Sequence, residues 1–304
     1  MTTRLDPADP GWLDTIGFAG ASRAEIEGFA LASRPGLRWF EHPTCLVRMR
    51  VPDGAGAKPV VVFLPDGPAS IESYDAVIAA FDAYDVVIIE IPGFGYSWPL
   101  TPEALTFDGT VAATTAALAS LGLPPVVVVG LCVQGLVALA LAKRHPELVR
   151  ALIVAQTGDW AAEVAWGPAL DPRGALKVPF AGQVGFRLTR ERSAVDWWAG
   201  FAAGRDFDVA ALQAEARMLV RHHCAYALAS LTQKWFGGDA PDLAVTVPVT
   251  VIWGLADRSH AATDRGSILR YAPHAVIIEV PRAGHFVDLE AIATVRGALD
   301  RLTA

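Results

Sequence analysis

The stretch that most constrains this chain is Pro125-Val126-Val127-Val128-Val129-Gly130-Leu131-Cys132-Val133-Gln134-Gly135-Leu136. Four consecutive valines predict a buried strand, and the Ala/Leu-rich run after Gly135 predicts a helix. A strand that turns this sharply into a helix raises its corner side chain above the sheet, as the serine is raised in the pattern Gly-x-Ser-x-Gly. Here Cys132 stands in the serine's place and Gly130 lies two residues before it. Gln134 occupies the position of the second glycine, and Gly135 follows one residue later. That position normally needs a small side chain, so Gln134 is expected either to line a site or to lean outward.

The same residues could be read as a membrane span, because Gln134 is the only strongly polar residue from Leu121 to Ala142. Pro124-Pro125 and Gly130 divide the run into a β-branched half and an Ala/Leu half. Each half is too short to cross a bilayer and suits a buried strand with its following helix. A chain of 304 residues, 53% of them hydrophobic, is long enough to bury a large core. Its net charge of −7 argues against nucleic acid or an anionic membrane as the main partner. No signal peptide is visible from Met1 to Gly11, and the three cysteines (Cys45, Cys132, Cys224) form neither a disulfide framework nor a metal-ligand spacing. A reducing cytoplasm is therefore the expected location. Cys45 and Cys224 read as small buried apolar residues.

Before the corner, residues 21–33 read as a helix ended by Pro35-Gly36, and residues 37–41 and 44–51 as strands. Residues 60–64 and 86–91 are nearly all-apolar strands, with helices predicted over residues 72–83 and 107–121. After the corner helix, closed by Pro146, residues 148–155 form a further strand. Apolar strands alternating with helices predict a mostly parallel sheet covered on both faces, the α/β class. The alternation stops at residues 156–244, which hold helical patches, turns and five tryptophans but no convincing strand, and read as a helical lid. It resumes with strands at residues 247–253 and 275–280 and helices around residues 263–271 and 288–302. The core is thus expected in two parts, residues 1–155 and 245–304, with the lid between them.

Three chemically capable residues follow predicted strands: Cys132, Asp257 in Trp253-Gly254-Leu255-Ala256-Asp257, and His285 in Gly284-His285-Phe286. In an open α/β sheet the carboxyl ends of the strands share one edge, and ligands bind there. The elbow, Pro92-Gly93-Phe94-Gly95-Tyr96-Ser97 after the fourth strand, Trp253-Gly254-x-x-Asp257 and Gly284-His285-Phe286 together resemble the α/β-hydrolase superfamily. The resemblance runs from about Leu37 to the end of the sequence. It implies that Cys132 is the nucleophile, His285 the general base and then acid, and Asp257 the residue that holds the histidine's tautomer. It also implies an oxyanion hole from the backbone N–H groups of Val133 and Gly67. The helix N-terminus and the imidazole are expected to lower the Cys132 pKa.

Asp159, after the sixth predicted strand, competes with Asp257 as the acid. Asp66, in Pro65-Asp66 where the superfamily usually has His-Gly, would oppose an oxyanion if it pointed inward. It is expected either to point away or to take part in binding or proton transfer. Trp160 and Phe286 are candidate site-lining residues. His260 reads as a loop residue, and His222 and His223 beside Cys224 lack a further ligand at metal-binding spacing. No cofactor or metal is expected.

A cysteine nucleophile passes through a thioester, which favours thioester, activated ester or lactone substrates and also acyl transfer or cyclisation. The expected partner is a small-molecule acyl substrate, free or carried on CoA or a carrier protein. The leading expectation is an acyl hydrolase. An acyltransferase or cyclase, a ligand-binding pseudohydrolase and an acid–base lyase are the alternatives.

Overall fold

The computed structural model describes residues 8–16 and 21–303. The residues read above for a leader lie mostly outside these. The sheet comprises β1 (Leu37–His42), β2 (Cys45–Arg50), β3 (Val60–Leu64), β4 (Asp85–Ile89), β5 (Trp98–Pro99), β6 (Val126–Leu131), β7 (Val149–Ala155), β8 (Val249–Gly254) and β9 (Val276–Val280). Its order is β1-β2-β4-β3-β6-β7-β8-β9, with β5 beside β2. β1, β2 and β5 pair antiparallel, while β3, β4 and β6 to β9 run parallel. The parallel strands form the α/β-hydrolase architecture, and their central members are buried end to end because helices cover both faces.

Register fixes where the loops meet. Leu64 pairs with Gly130, Leu131 with Ala155, and Ala155 with Ile252. The loops after β3, β6, β7, β8 and β9 therefore leave one edge of the sheet side by side, at the strands' carboxyl ends.

Between β7 and β8 the described residues form helices and no strand. The main ones are Trp160–Leu170, Ala181–Arg190, a π-helical stretch Glu191–Trp198, Val209–Arg221 and Leu228–Trp235. Elsewhere several helices are shorter than the periodicity predicts. The stretch expected over residues 72–83 is a 3₁₀ turn, Ile71–Tyr74, and a six-residue helix, Asp75–Ala80. The helix expected around residues 263–271 is only a 3₁₀ turn, Ser267–Arg270, and the final helix is interrupted before Ile292–Thr303. In each case the key apolar residues, such as Ile71, Val77, Ile268 and Val287, are buried by tertiary contacts without a long helix. Among the described residues no helix is long and apolar enough to cross a membrane.

A buried ionic cluster holds the loop after β3. Arg48 of β2 is wholly buried and pairs with Glu72, and it also lies 3.1 Å from Glu90. Glu90 accepts the Ile71 N–H at 3.1 Å and the Tyr96 N–H at 2.7 Å, while Ser70 Oγ donates to Glu72 at 2.8 Å. Burial opposes ionisation of Glu72, but Arg48 outweighs it and holds the carboxyl at about 2. Removing the cation would leave two buried carboxylates unpaired. An Arg48→Met variant is therefore expected to lose about 3–5 kcal/mol in urea unfolding. A loss under about 1 kcal/mol would show that the cluster does not hold the loop.

Candidate functional site

Cys132 follows β6 in a conformation that residues with side chains rarely adopt, φ 54° and ψ −129°. The corner is held from behind. The Cys132 N–H donates to Ala155 O at 2.8 Å, and Thr157 Oγ donates to the Cys132 and Ala155 carbonyls, both at 2.9 Å. A Cβ on Gly135 would lie 2.1 Å from Thr157 Oγ1, and one on Gly130 would lie 2.7 Å from the Gln134 carbonyl. The close-approach glycine is thus Gly135, which frees the Gln134 position for a long side chain.

That side chain is buried and turns toward the loop after β3. Gln134 Nε2 donates to Pro65 O at 3.1 Å and to Asp66 Oδ1 at 2.9 Å. Asp66 points inward. Its other oxygen lies 3.1 Å from His285 Nε2, while Asp257 Oδ2 lies 2.9 Å from His285 Nδ1. A ring nitrogen of His285, an oxygen of Asp66 and Cys132 Sγ all lie within 4.8 Å of one another. The structure therefore brings together Cys132, His285 and Asp257, with Asp66 as a fourth member.

Supporting contacts fix these groups. Gln156, itself at φ 49°, donates from Nε2 to Asp257 Oδ2 at 2.7 Å and accepts the Gly254 N–H at 2.6 Å. Ser259 donates its N–H (2.8 Å) and hydroxyl (2.6 Å) to Asp257 Oδ1. The His285 N–H donates to Ala202 O at 2.9 Å, and Glu290 accepts the Gly284 and Phe286 N–H groups.

Several residues stand differently from their sequence reading. Asp159 caps the helix Trp160–Leu170 through the Ala162 N–H and pairs with Arg270, so it does not serve His285. Trp160 packs on Phe107 and on Phe236, behind the cavity wall to which Phe236 contributes. Phe286 packs edge-on to His285 and against Phe207, also outside the cavity. His260 is no mere loop residue. It is buried, its Nε2 lies 3.9 Å from Cys132 Sγ, and its Nδ1 lies 3.1 Å from Thr263 Oγ1. Its ring lies nearly parallel to those of Trp166 and His285, at centroid distances of 4.7 and 5.4 Å, and those two rings are themselves 6.2 Å apart. Sequence reasoning also missed Gln156 and Glu163, and gave Trp166 and Trp198 only as two of the lid's tryptophans. The available signal was spacing, since His260 lies three residues past Asp257 and shares its turn.

The electrostatics depart from expectation too. Burial raises the Cys132 pKa, and the Asp66 charge raises it further, against the lowering effect of His285. Burial works against a charged His285, yet Asp257 and Asp66 outweigh it and hold the ring's pKa well above the ordinary value. Burial lowers the His260 pKa to about 3, so that ring is neutral near pH 7. The site thus holds one imidazolium between two carboxylates, and a thiol close by.

A cavity opens above Cys132. Asp66, Gly67, Val133, Phe94, Trp166, Trp198, Tyr226 and Leu231 contribute to its mostly apolar wall. Neither the Gly67 nor the Val133 N–H makes a hydrogen bond among the described residues.

The sheet order, the strand-corner-helix at Cys132 and the loop convergence define an α/β-hydrolase fold. The alpha/beta hydrolase fold family matches residues 59–290, and the chain belongs to that family. By sequence, nothing among the curated proteins matches it. Among solved structures it resembles one from a study of epoxide hydrolases in metagenomes from hot environments, with TM-score 0.70, 19% identity, and coverage of 88% of this chain and 98% of that one. Epoxide hydrolase A from Mycobacterium thermoresistibile (0.68, 18%, 88% and 98%) and the haloalkane dehalogenase DbeA from Bradyrhizobium elkani (0.62, 19%, 88% and 98%) are similar in the same way. At these identities the likeness is one of fold.

The charge arrangement makes a direct prediction. Nitrogen-resolved NMR at pH 7 should find His285 doubly protonated and His260 neutral. Asp66→Asn removes one of the two carboxylates that favour the charged ring, so the His285 pKa should fall. A neutral His285 in the wild-type protein at pH 7 would overturn this description.

Proposed function

We propose that the protein is an acyl hydrolase in which Cys132 attacks a thioester, activated ester or lactone carbonyl and releases the acyl group to water. The observation that carries this reading is the strained Cys132 corner at the wall of an apolar cavity, beside His285, Asp66 and Asp257. In acylation the thiol proton passes to the Asp66–His285 pair as sulfur bonds to the carbonyl carbon. Asp257 keeps the ring oriented and charged. The Val133 and Gly67 N–H groups are the donors that would meet the oxyanion. The helices between β7 and β8 act as a lid whose Trp166, Trp198 and Tyr226 hold the acyl group. The free buried thiols suit a reducing compartment such as the cytoplasm, where acyl groups are available free or on CoA or a carrier protein.

The epoxide hydrolases and the dehalogenase of similar fold suggest a different electrophile. A thiol opening an epoxide or displacing a halide would form a thioether, which has no carbonyl for water to attack. An acyl-enzyme can be released by water, so the cysteine favours acyl chemistry. Transfer to an alcohol or amine is the second reading, favoured because Cys132 is only 1% exposed beneath apolar walls.

Incubation with p-nitrophenyl esters and acyl thioesters is expected to add the acyl mass to Cys132, with free acid as the product. Cys132→Ala should abolish the adduct and reduce turnover by roughly 1,000-fold or more. Full turnover in that variant would overturn the nucleophile. Acid joined to an added alcohol or amine, in place of free acid, would move the reading to transfer.

A further inference from the structure

Glu163 is a buried carboxyl beside the nucleophile that the reaction described above does not use. It lies in the first turn of the helix Trp160–Leu170 and has no exposed surface. One oxygen accepts the Gly158 N–H at 2.6 Å, and the other, Oε2, has no hydrogen-bond partner among the described residues. No described cation pairs with it. A carboxyl oxygen of Glu163, Cys132 Sγ and a ring nitrogen of His260 lie within 4.8 Å of one another.

We propose that Glu163 is a second proton-transfer residue, donating to the leaving heteroatom in acylation and accepting from water in deacylation. The proposal rests on the acyl-enzyme reading above. Its geometric basis is short. In the tetrahedral adduct the leaving atom is two bonds from sulfur, so a carboxyl within 4.8 Å of Sγ reaches that atom by hydrogen bond when the leaving group points toward the helix Trp160–Leu170. His285 is engaged elsewhere, since its Nε2 faces Asp66 and its Nδ1 faces Asp257, and His260, neutral near pH 7, is a poor proton donor. Burial raises the Glu163 pKa to about 8, which leaves a proton to donate at neutral pH.

The steps balance. Sulfur bonds to the carbonyl carbon as its proton passes to the Asp66–His285 pair. The bond to the leaving atom then breaks, its electron pair goes with that atom, and Glu163 supplies the proton and becomes a carboxylate. In the second half, water's oxygen bonds to the thioester carbon and its proton returns to Glu163. The carbon–sulfur bond breaks, and sulfur recovers its proton from the pair. The net reaction is acyl compound plus water to acid plus the protonated leaving group.

The test is Glu163→Gln, which keeps an acceptor for the Gly158 N–H but has no acidic proton. Butyrate esters of p-nitrophenol, trifluoroethanol and ethanol form a series of increasingly basic leaving groups. The wild-type protein should show a shallow fall in kcat/KM along the series. In the variant the ethyl ester should lose a further 100-fold or so relative to the p-nitrophenyl ester, whose leaving group needs no proton. Butyryl-Cys132 should also accumulate in intact-mass spectra of the variant, because deacylation has lost its base. The comparison between esters uses one preparation, so partial misfolding cancels. Parallel slopes in the two proteins, or a steep slope already in the wild type, would overturn the role of Glu163. If Cys132 is still acylated, the acyl-enzyme reading survives that outcome. Absence of any Cys132 adduct would overturn both.

Discussion

The contact of Gly135 with Thr157 governs the geometry on which the site depends. A Cβ at Gly135 would meet Thr157 Oγ1 at 2.1 Å, so no larger residue lets the helix after β6 sit this close to the end of β7. The same threonine donates to the carbonyl of Cys132, which helps hold the corner at φ 54°. Backbone strain of this kind persists only where the surroundings over-determine it. Here the pairing of Leu131 with Ala155 and the Cys132 N–H bond to Ala155 O do so.

Around that corner the charges form one connected set. His285 lies between Asp66 and Asp257, and each carboxylate is itself steadied by a glutamine, Gln134 for Asp66 and Gln156 for Asp257. Burial alone would discharge the ring, but the two carboxylates reverse that outcome. Asp66 and Gln134, the two departures from the superfamily pattern nearest Cys132, are hydrogen-bonded to each other. They are a single alteration of the site, joining the loop after β3 to the helix after β6. The Arg48–Glu72–Glu90 cluster supports that loop from the opposite side.

Similar folds carry different chemistries because the sheet supplies only the edge on which loops meet. In this chain the loop after β3 presents a carboxylate, β6 presents a thiol, and the first helix after β7 brings Glu163 and Trp166 over them. A buried thiol whose pKa is raised by burial and by a neighbouring carboxylate needs a proton acceptor at the moment of attack. That need gives the inward direction of Asp66 a chemical consequence.

Much of the fold was legible in the sequence, because β-branched runs bounded by glycine and proline have few stable alternatives to a buried strand. Strands, their alternation with helices and the strand-free stretch after Ala155 followed from local pattern. So did the candidates Cys132, Asp257 and His285, which sit at strand ends where side chains project from the sheet's edge. Tertiary structure alone decided which way side chains turn. Asp66 and Gln134 could have faced outward, and Asp159 could have served the histidine; contacts across residues distant in sequence settled each case, for Asp159 the pairing with Arg270 beside its local cap. The nearness of His260 and Glu163 to Cys132 was equally invisible, because it depends on how loops and helices fold back over the sheet. The sequence determined the scaffold and the Cys132 corner, since both follow from backbone geometry and apolar periodicity. The three-dimensional packing decided the protonation of the site, since charge depends on burial and on neighbours that chain order does not record.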